Sequence, residues 1–216
     1  KRIFSASQKL LQPRGFLSGH EKVYADLEYA GLIDMICVVF HPARAGAFFR
    51  IPMNAVNGLK VDVNDLEDEK LTDLQKSLED ASTNQHCVLL IEQFLLKRIR
   101  TLADYNLKRI DTAIRLINSQ ETNTSQLAEA SCLSPRQFNR VFTEYIGTNP
   151  KEFQRIVRFQ KALFLLQSQP DINLAQLATS CGYYDQPHLI KEFKSFSGYT
   201  PVEYISVCDP FSDYFS

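Results

Sequence analysis

One face of a predicted helix carries side chains that could read DNA bases in the major groove. The face consists of four polar residues at helical spacing: Arg136, Asn139, Arg140 and Thr143. Arg can bond O6 and N7 of guanine together, Asn can pair with N6 and N7 of adenine, and the Thr methyl group can touch thymine. The alternative is a merely solvated helix surface, as most polar helix faces are. Gln137 lies among these residues and is a further candidate.

The helix that presents this face has a defined start and a defined buried side. Ser134 is the expected N-cap, and Pro135 suits the first helical position because its missing N–H group is not needed there. Ser134 also lies next to the polar face and is counted among the candidate DNA-binding residues. The buried side consists of apolar residues at i, i+3, i+4 and i+7: Phe138, Val141, Phe142 and Tyr145.

The surrounding sequence occurs twice, over residues 127–153 and again over residues 177–204. Phe142 matches Phe193, whereas the offset is one residue shorter at Leu127, which matches Leu177. One residue is therefore inserted at the start of the second long helix. Each copy predicts a short helix, a tight turn and a longer amphipathic helix ending at glycine, which is the outline of a helix-turn-helix. This context favours base reading over simple solvation of the polar face.

The second copy predicts a helix of the same form with different surface chemistry. Asp185 is its expected N-cap, and Pro187 lies in its first turn. Its buried side is predicted to consist of Leu189, Phe193 and Phe196.

The exposed face of this second helix offers fewer forked donors. The equivalents of the four polar residues are Pro187, Ile190, Lys191 and Lys194. Lys makes a point-charge contact, so these lysines are expected to anchor phosphates, with Gln186 and His188 as candidate base readers. Most sequence discrimination is therefore expected from the first copy.

Residues 150–168 predict one continuous helix that connects the two copies, about 28 Å long. Arg155, Arg158 and Lys161 lie off its apolar stripe. These basic side chains could meet phosphates, with simple solvation as the alternative. Arg155 and Arg158 are counted among the candidate DNA-binding residues.

The composition suits a DNA-binding protein although the formal net charge is −1. Residues 134–161 hold six basic side chains against two acidic ones, so the positive charge is local. With 216 residues and 44% apolar content, the chain fits one large or two modest domains. A run of about 18 apolar residues and the pattern of a signal peptide are both missing, which predicts a cytoplasmic protein without a membrane partner.

Several patterns that could indicate catalysis or metal binding lack a residue that such a site needs. The acidic segment 62–69 has Leu66 where a calcium ligand should be. His20 and His41 are isolated, and Cys37 beside His41 has no evident orienting acid, so neither a metal site nor an enzyme is expected. No cofactor is expected. The cysteines show neither zinc nor disulfide spacing and are expected to be reduced core thiols: Cys37, Cys87, Cys132, Cys181 and Cys208.

The N-terminal part predicts a small sheet followed by helices. Alternating residues 22–29, a turn at Ala30-Gly31 and the apolar run 32–40 predict a hairpin. Proline-broken helical turns are expected next, and a helical pattern begins at Asp65. Because a few strands cannot cover their own edges, missing strands are expected, with pairing to another chain as the alternative. The fold class is α+β, with an N-terminal regulatory domain over residues 1–104 and an all-α domain over residues 105–216.

The second copy resembles the signature of the AraC/XylS family of bacterial transcriptional regulators. The matching elements are the segment 174–178, Gly182-Tyr183, Asp185-Gln186, Phe193-Lys194, Gly198 and the segment 200–204. The resemblance extends over about residues 108–207 and includes the first copy. It implies two helix-turn-helix units in a seven-helix domain on adjacent major grooves of promoter DNA, usually in an activator that contacts RNA polymerase. Cys132 occupies a turn position where the family often has glycine.

Residues 33–52 followed by 61–66 resemble, more loosely, the end of the cupin-like sensor domain found in one branch of this family. This resemblance implies a role in sensing a small-molecule effector or a partner. Two other interpretations stay open. In one, the chain is a sensing or interaction protein whose helices over residues 66–99 form a homodimer and whose DNA binding is secondary; in the other, more distant, it is a DNA-repair enzyme with a reactive cysteine.

Overall fold

A computed structural model describes most of the 216 residues. The described ranges are 3–5, 10–21, 24, 27–29, 34–49, 51–99, 105–119, 122–169 and 171–207. Contacts divide the chain into two compact units. The first comprises Lys1–Glu21, Ala25–Asp111 and Arg140–Thr148, and the second comprises Lys22–Tyr24, Thr112–Asn139 and Asn149–Ser216.

Short antiparallel strands form two small sheets in the first unit. The strands are β1 (Ile3–Ser5), β2 (Leu10–Leu11), β3 (Phe16–Ser18), β4 (Leu27–Tyr29) and β5 (Lys60–Asp62). Strand β1 lies between β2 and β4, and β3 pairs with β5 so that Leu17 is opposite Val61. A salt bridge of 3.3 Å between Lys60 and Glu21 lies close to this second pair.

The predicted hairpin is wrong in its second strand. Residues 34–40 have no strand structure, and β4 pairs with β1 instead. Apolar and β-branched residues favour a strand only where strand pairing and burial of their side chains stabilise it. Here the run is exposed, with Val39 65% accessible. Cys37 and Cys132 are exposed, which contradicts the expectation that the cysteines are core thiols, and Cys208 lies outside the described residues. The cupin-like character of this region stays a prediction.

Helical structure takes over along the rest of the first unit, as the sequence predicts. The 3-10 turns Ala45–Ala47, Met53–Val56 and Val63–Leu66 precede α1 (Glu69–Glu79) and α2 (Asn84–Arg98). Asp68 caps α1 by accepting from the Leu71 N–H group, and it also forms a largely buried ion pair with Arg98. The hydrogen bond from Arg98 holds the pKa of Asp68 below its usual value. This carboxylate of the acidic segment therefore fixes the end of α2 to the start of α1.

The C-terminal helices follow the predicted repeat. They are α3 (Tyr105–Ser119), α4 (Thr124–Ala130), α5 (Pro135–Ile146), α6 (Pro150–Ser168), α7 (Leu174–Ser180), α8 (Gln186–Ser197) and α9 (Pro201–Val207). The two long repeat helices end at Gly147 and Gly198, both with positive φ, and α6 is the predicted connector. The domain division at 104 stays a prediction, since residues 101–104 lie outside the described ranges. Within those ranges, no helix is long and apolar enough to cross a bilayer.

One hydrophobic cluster of the second unit is built from α6, α7 and α8. Leu177, Leu189 and Phe193 are fully buried, and the Phe159 ring meets the Phe193 ring edge-on at 5.0 Å. Such offset aromatic contacts add to the free energy gained by burial. Cys181 lies in the same core, where burial raises the pKa of its thiol to about 11. Its burial among apolar side chains identifies this thiol as a packing residue of the cluster.

Candidate nucleic-acid interface

Helix α5 presents the predicted polar face to solvent. Arg136, Asn139 and Arg140 are exposed and Thr143 is half-buried. On the opposite side Phe138 and Phe142 are fully buried and Val141 is 5% accessible, whereas Tyr145 is half-buried. The burial pattern thus confirms the predicted orientation of the helix. We call Arg136, Asn139, Arg140 and Thr143 the first reading face.

Ser134 and Gln137 fix the start of α5 reciprocally. The Gln137 N–H group lies 3.4 Å from the Ser134 hydroxyl oxygen, and the Gln137 side-chain oxygen accepts from the Ser134 N–H group at 3.3 Å and from its hydroxyl at 3.0 Å. This is the geometry of a capping box, in which side chains satisfy the free N–H groups of the first turn. Gln137 remains exposed, but its amide oxygen is engaged in the cap.

The turn before each long helix has the same hydrogen-bonding pattern. In the first copy the Leu133 N–H group donates to the Ala128 carbonyl, and the Cys132 N–H group donates to Glu129, both at 2.9 Å. In the second copy Tyr183 and Gly182 donate to Ala178 and Thr179. These two hydrogen bonds together form a Schellman motif. The motif requires a left-handed residue directly after the C-cap of the helix.

Helix α8 presents the second reading face, defined as Gln186, Lys191 and Lys194, all three exposed. Asp185 is the N-cap as predicted, because its carboxylate accepts from the His188 N–H group at 2.8 Å. The turn between α7 and α8 is one residue longer than the turn between α4 and α5. This accounts for the inserted residue, which lengthens the turn and leaves the two long helices in register.

His188 is turned toward the protein. Its Nδ1 atom lies 3.4 Å from the Tyr184 N–H group, its Nε2 atom lies 3.9 Å from a carboxylate oxygen of Glu192, and its ring meets Tyr183 edge-on at 5.3 Å. Both ring nitrogens therefore face partners within the second unit. Its role as a base reader stays a prediction, and would require the ring to rotate away from these contacts.

The two connector arginines point at a carboxylate of the second reading helix. Arg155 Nε donates to Glu192 at 2.9 Å, and Arg158 Nη2 donates to Glu192 at 3.1 Å. Arg155 also donates to Glu152 at 2.9 Å. Burial by itself lowers the pKa of Arg155, but the hydrogen bonds to Glu192 and Glu152 outweigh it and leave that pKa raised. Lys161, the third of the basic residues that lie off the apolar stripe of the connector, is exposed.

Glu192 was missed by the sequence-based reasoning. Its side chain is only 5% accessible, although it is charged. The sequence does hold a signal, because Glu192 comes three residues after Leu189 and therefore lies on the predicted buried stripe. A carboxylate on a buried stripe needs cationic partners, and Arg155 and Arg158, one turn apart on α6, are suitably placed for that role.

Comparison with known proteins finds a family that matches these helices. Residues 127–206 match the family described as "Helix-turn-helix domain", and the match includes both turns and the connector. These residues form an AraC-type helix-turn-helix domain. An HTH-type transcriptional regulator of Haemophilus influenzae is 34% identical over 141 residues, which are 60% of this chain and 45% of that protein.

Two further proteins are similar to parts of this chain. The HTH-type transcriptional regulator ArgR of Pseudomonas aeruginosa is 31% identical over 80 residues, which are 37% of this chain and 24% of that protein. A solved AraC-type regulator structure from Chromobacterium violaceum is 27% identical, covers 44% of this chain and 88% of its own, and has a TM-score of 0.42. The match spans less than half the length of the two curated relatives, the Haemophilus influenzae regulator and ArgR.

Proposed function

We propose that this chain is a sequence-specific transcriptional regulator whose two helix-turn-helix units read adjacent major grooves of promoter DNA. The observation that carries the proposal is the first reading face, an exposed row of two arginines and an asparagine on a capped helix within an AraC-type domain. Arg and Asn are the side chains that make bidentate contacts with guanine and adenine. The activity is binding rather than catalysis, and it places the chain in the cytoplasm with bacterial DNA.

The division of labour follows from the side chains that each helix exposes. Arg136, Asn139 and Arg140 on α5 supply forked donors, so this helix carries most of the base discrimination. Lys191 and Lys194 on α8 supply point charges, so this helix contributes mainly phosphate contacts. The relatives that match are transcriptional regulators by name, which supports the same function here.

The N-terminal part acts as the regulatory region in this proposal. It senses a small-molecule effector or a partner, and the chain as a whole activates transcription by contact with RNA polymerase. These assignments rest on the family resemblance of the sequence.

A second candidate function is a homodimer or partner contact through α2. This helix has no buried residue, and it exposes Val88, Leu89 and Leu96, the last 72% accessible. Exposed apolar residues in such a group indicate an interaction surface. The two candidates differ in salt dependence, because phosphate contacts make affinity fall steeply with salt whereas an apolar contact does not.

The proposal is tested by selecting bound sequences from a random duplex pool at fixed, near-physiological salt. The wild-type chain is compared with the Arg136→Ala, Arg140→Ala double variant, whose substitutions lie on an exposed face and spare the core. The expected result is a motif of two blocks about one helical turn apart, with one block lost in the variant. Recovery of no motif from the wild-type chain would overturn the proposal.

A further inference from the structure

Glu192 joins the second reading helix to the connector helix through charged hydrogen bonds. Its two carboxylate oxygens receive Arg155 Nε at 2.9 Å and Arg158 Nη2 at 3.1 and 3.2 Å. The contact with Arg158 is bidentate, because Nε donates to Oε1 at 3.3 Å while Nη2 donates to Oε2 at 3.2 Å. Charged, forked bonds of this kind fix relative orientation more strictly than apolar packing does.

The two guanidinium groups are also held by rings and hydroxyl groups of the same unit. Arg155 lies over the Phe196 ring at 5.1 Å and donates to the Ser195 hydroxyl at 3.4 Å. Arg158 lies over the Tyr183 ring at 5.4 Å. Each cation therefore contacts α8 or its preceding turn as well as Glu192.

The charges within this cluster balance. Arg155 and Arg158 contribute two positive charges, and Glu152 and Glu192 contribute two negative ones. The arginine side chains are 28% accessible, whereas Lys191 and Lys194 on the second reading face are exposed. A neutral cluster with half-buried guanidinium groups is poorly suited to attract phosphate, since affinity for the DNA backbone comes from uncompensated positive charge.

The first copy has an uncharged residue at the position of Glu192. By the repeat offset, the residue equivalent to Glu192 is Val141, and both are 5% accessible. One copy therefore has an apolar residue at this buried position and the other has a carboxylate. Buried ionic groups are best justified by the specific arrangement that they impose, because apolar residues fill such positions at no desolvation cost.

We propose that Glu192 is a positioning residue for DNA reading, which through Arg155 and Arg158 holds α8 at the angle its reading face requires. Arg155 and Arg158 then act on DNA through Glu192 and not as phosphate anchors. The inference rests on the proposed function and refines it, because it assigns the three residues to discrimination at the second half-site rather than to general affinity.

The experiment measures affinity for three duplexes at one salt concentration: the selected site, the site with its first block substituted, and the site with its second block substituted. The variants are Glu192→Gln, Arg155→Gln and Arg158→Gln. Lys191→Gln and Lys194→Gln are matched controls on the exposed side of the same helix. Loss of a phosphate contact weakens binding to all duplexes about equally, whereas loss of a positioning residue changes the ratio between the affinities.

The expected result is that Glu192→Gln and Arg158→Gln reduce the preference for the intact second block from about tenfold or more to about twofold or less. Preference for the first block stays as in the wild-type chain. A double variant that combines Glu192→Gln with Arg158→Gln loses no more of this preference than either single variant, because the two residues act as one cluster. The two lysine controls weaken binding to the three duplexes by similar factors and leave the ratios unchanged.

Two results would overturn the inference while leaving the proposed function intact. One is unchanged second-block preference in Glu192→Gln, and the other is uniform weakening by Arg155→Gln and Arg158→Gln with unchanged ratios. Absence of any selected site for the wild-type chain would overturn both. Thermal unfolding of each variant shows whether it is folded. Arg158→Lys keeps the charge but loses the forked hydrogen bonds, and it replaces any variant that does not fold. Intact second-block preference in Arg158→Lys counts against the inference.

Discussion

Cys132 and Gly182 occupy equivalent positions in the two turns, and both have a left-handed backbone. Their φ angles are 53° and 75°. Each follows the C-cap residue of a short helix and closes a Schellman motif with the residue after it. Glycine adopts this conformation freely, whereas any residue with a Cβ atom is strained in it. The first turn therefore keeps the geometry of the second at a cost in conformational energy.

We expect Cys132→Gly to stabilise the protein. Relief of left-handed strain is worth roughly 1–2 kcal/mol, and the greater freedom of glycine in the unfolded chain offsets part of it. The expected net gain in the free energy of unfolding is about 0.5–1 kcal/mol, measured by urea denaturation. Because Cys132 is exposed, little apolar burial is lost. The reverse substitution, Gly182→Cys, should lower stability, and equal stability of all three proteins would refute this account of the turns.

Gly147 combines left-handed strain with close contact. Its φ is 92°, and a Cβ atom there would lie 2.9 Å from the Met53 carbonyl oxygen. Gly58 has a φ of 70° but open space around the same position. Gly58→Ala should therefore cost roughly 1 kcal/mol of unfolding free energy from strain alone, and Gly147→Ala should cost more. Chemical denaturation of both variants separates the two effects; a smaller loss in Gly147→Ala would show that the backbone near Met53 yields easily.

His20 makes the stability of the first unit depend on pH. Burial lowers the pKa of His20 from 6.5, and a hydrogen bond to the backbone of Ile146 opposes this only in part. The unfolded chain therefore binds the proton at a higher pH than the folded chain does. The free energy of unfolding is expected to keep its highest value above about pH 6.5, where His20 is neutral in both states. It is expected to fall as the pH drops from there toward the lowered pKa of folded His20.

The measurement is the unfolding free energy between pH 5.5 and 7.5, for the wild-type chain and for His20→Gln. The variant should show a flatter profile in this window, since the remaining histidines are common to both proteins. The pKa values of Asp68 and Glu203 are lowered from their ordinary values of 3.8 and 4.5. These two groups therefore affect stability only below this pH window. Parallel profiles for the two proteins would contradict the assignment to His20.

The repeat was predictable because its signals are local. Caps at Ser134 and Asp185, glycines at the helix ends and an apolar period of 3.6 residues each depend on a few neighbouring residues. They fixed the two long helices and the connector closely. The hairpin prediction failed because a strand depends on a distant partner, and here β4 pairs with β1 rather than with the apolar run after it.

The contacts between α6 and α8 could not be predicted from local sequence signals. Arg155 and Arg158 were identified as basic residues off the apolar stripe, but their orientation toward Glu192 joins positions 37 and 34 residues apart. Helix periodicity places each side chain on a face, and it does not say which charges of two packed helices meet. Only the packing of α6 against α8 shows that these arginines face a carboxylate.

The two reading helices should differ in what their exposed cations do. Arg140 on α5 can hold two acceptors of one guanine, whereas Lys191 on α8 offers a point charge. Arg140→Ala is therefore expected to reduce the preference for one base in the first block by about 1–3 kcal/mol, while Lys191→Ala weakens binding to all sequences about equally. The measurement is a panel of duplexes with single base substitutions, tested at two salt concentrations.

Salt dependence provides the internal control for this comparison. Loss of one phosphate contact lowers the slope of log affinity against log salt by about 0.9, which is the change expected for Lys191→Ala. Equal loss of base preference from Arg140→Ala and Lys191→Ala would refute the division of labour between the helices. Because both side chains are exposed, neither substitution should change the free energy of unfolding by more than about 0.5 kcal/mol, so altered binding reports on DNA contact rather than on folding.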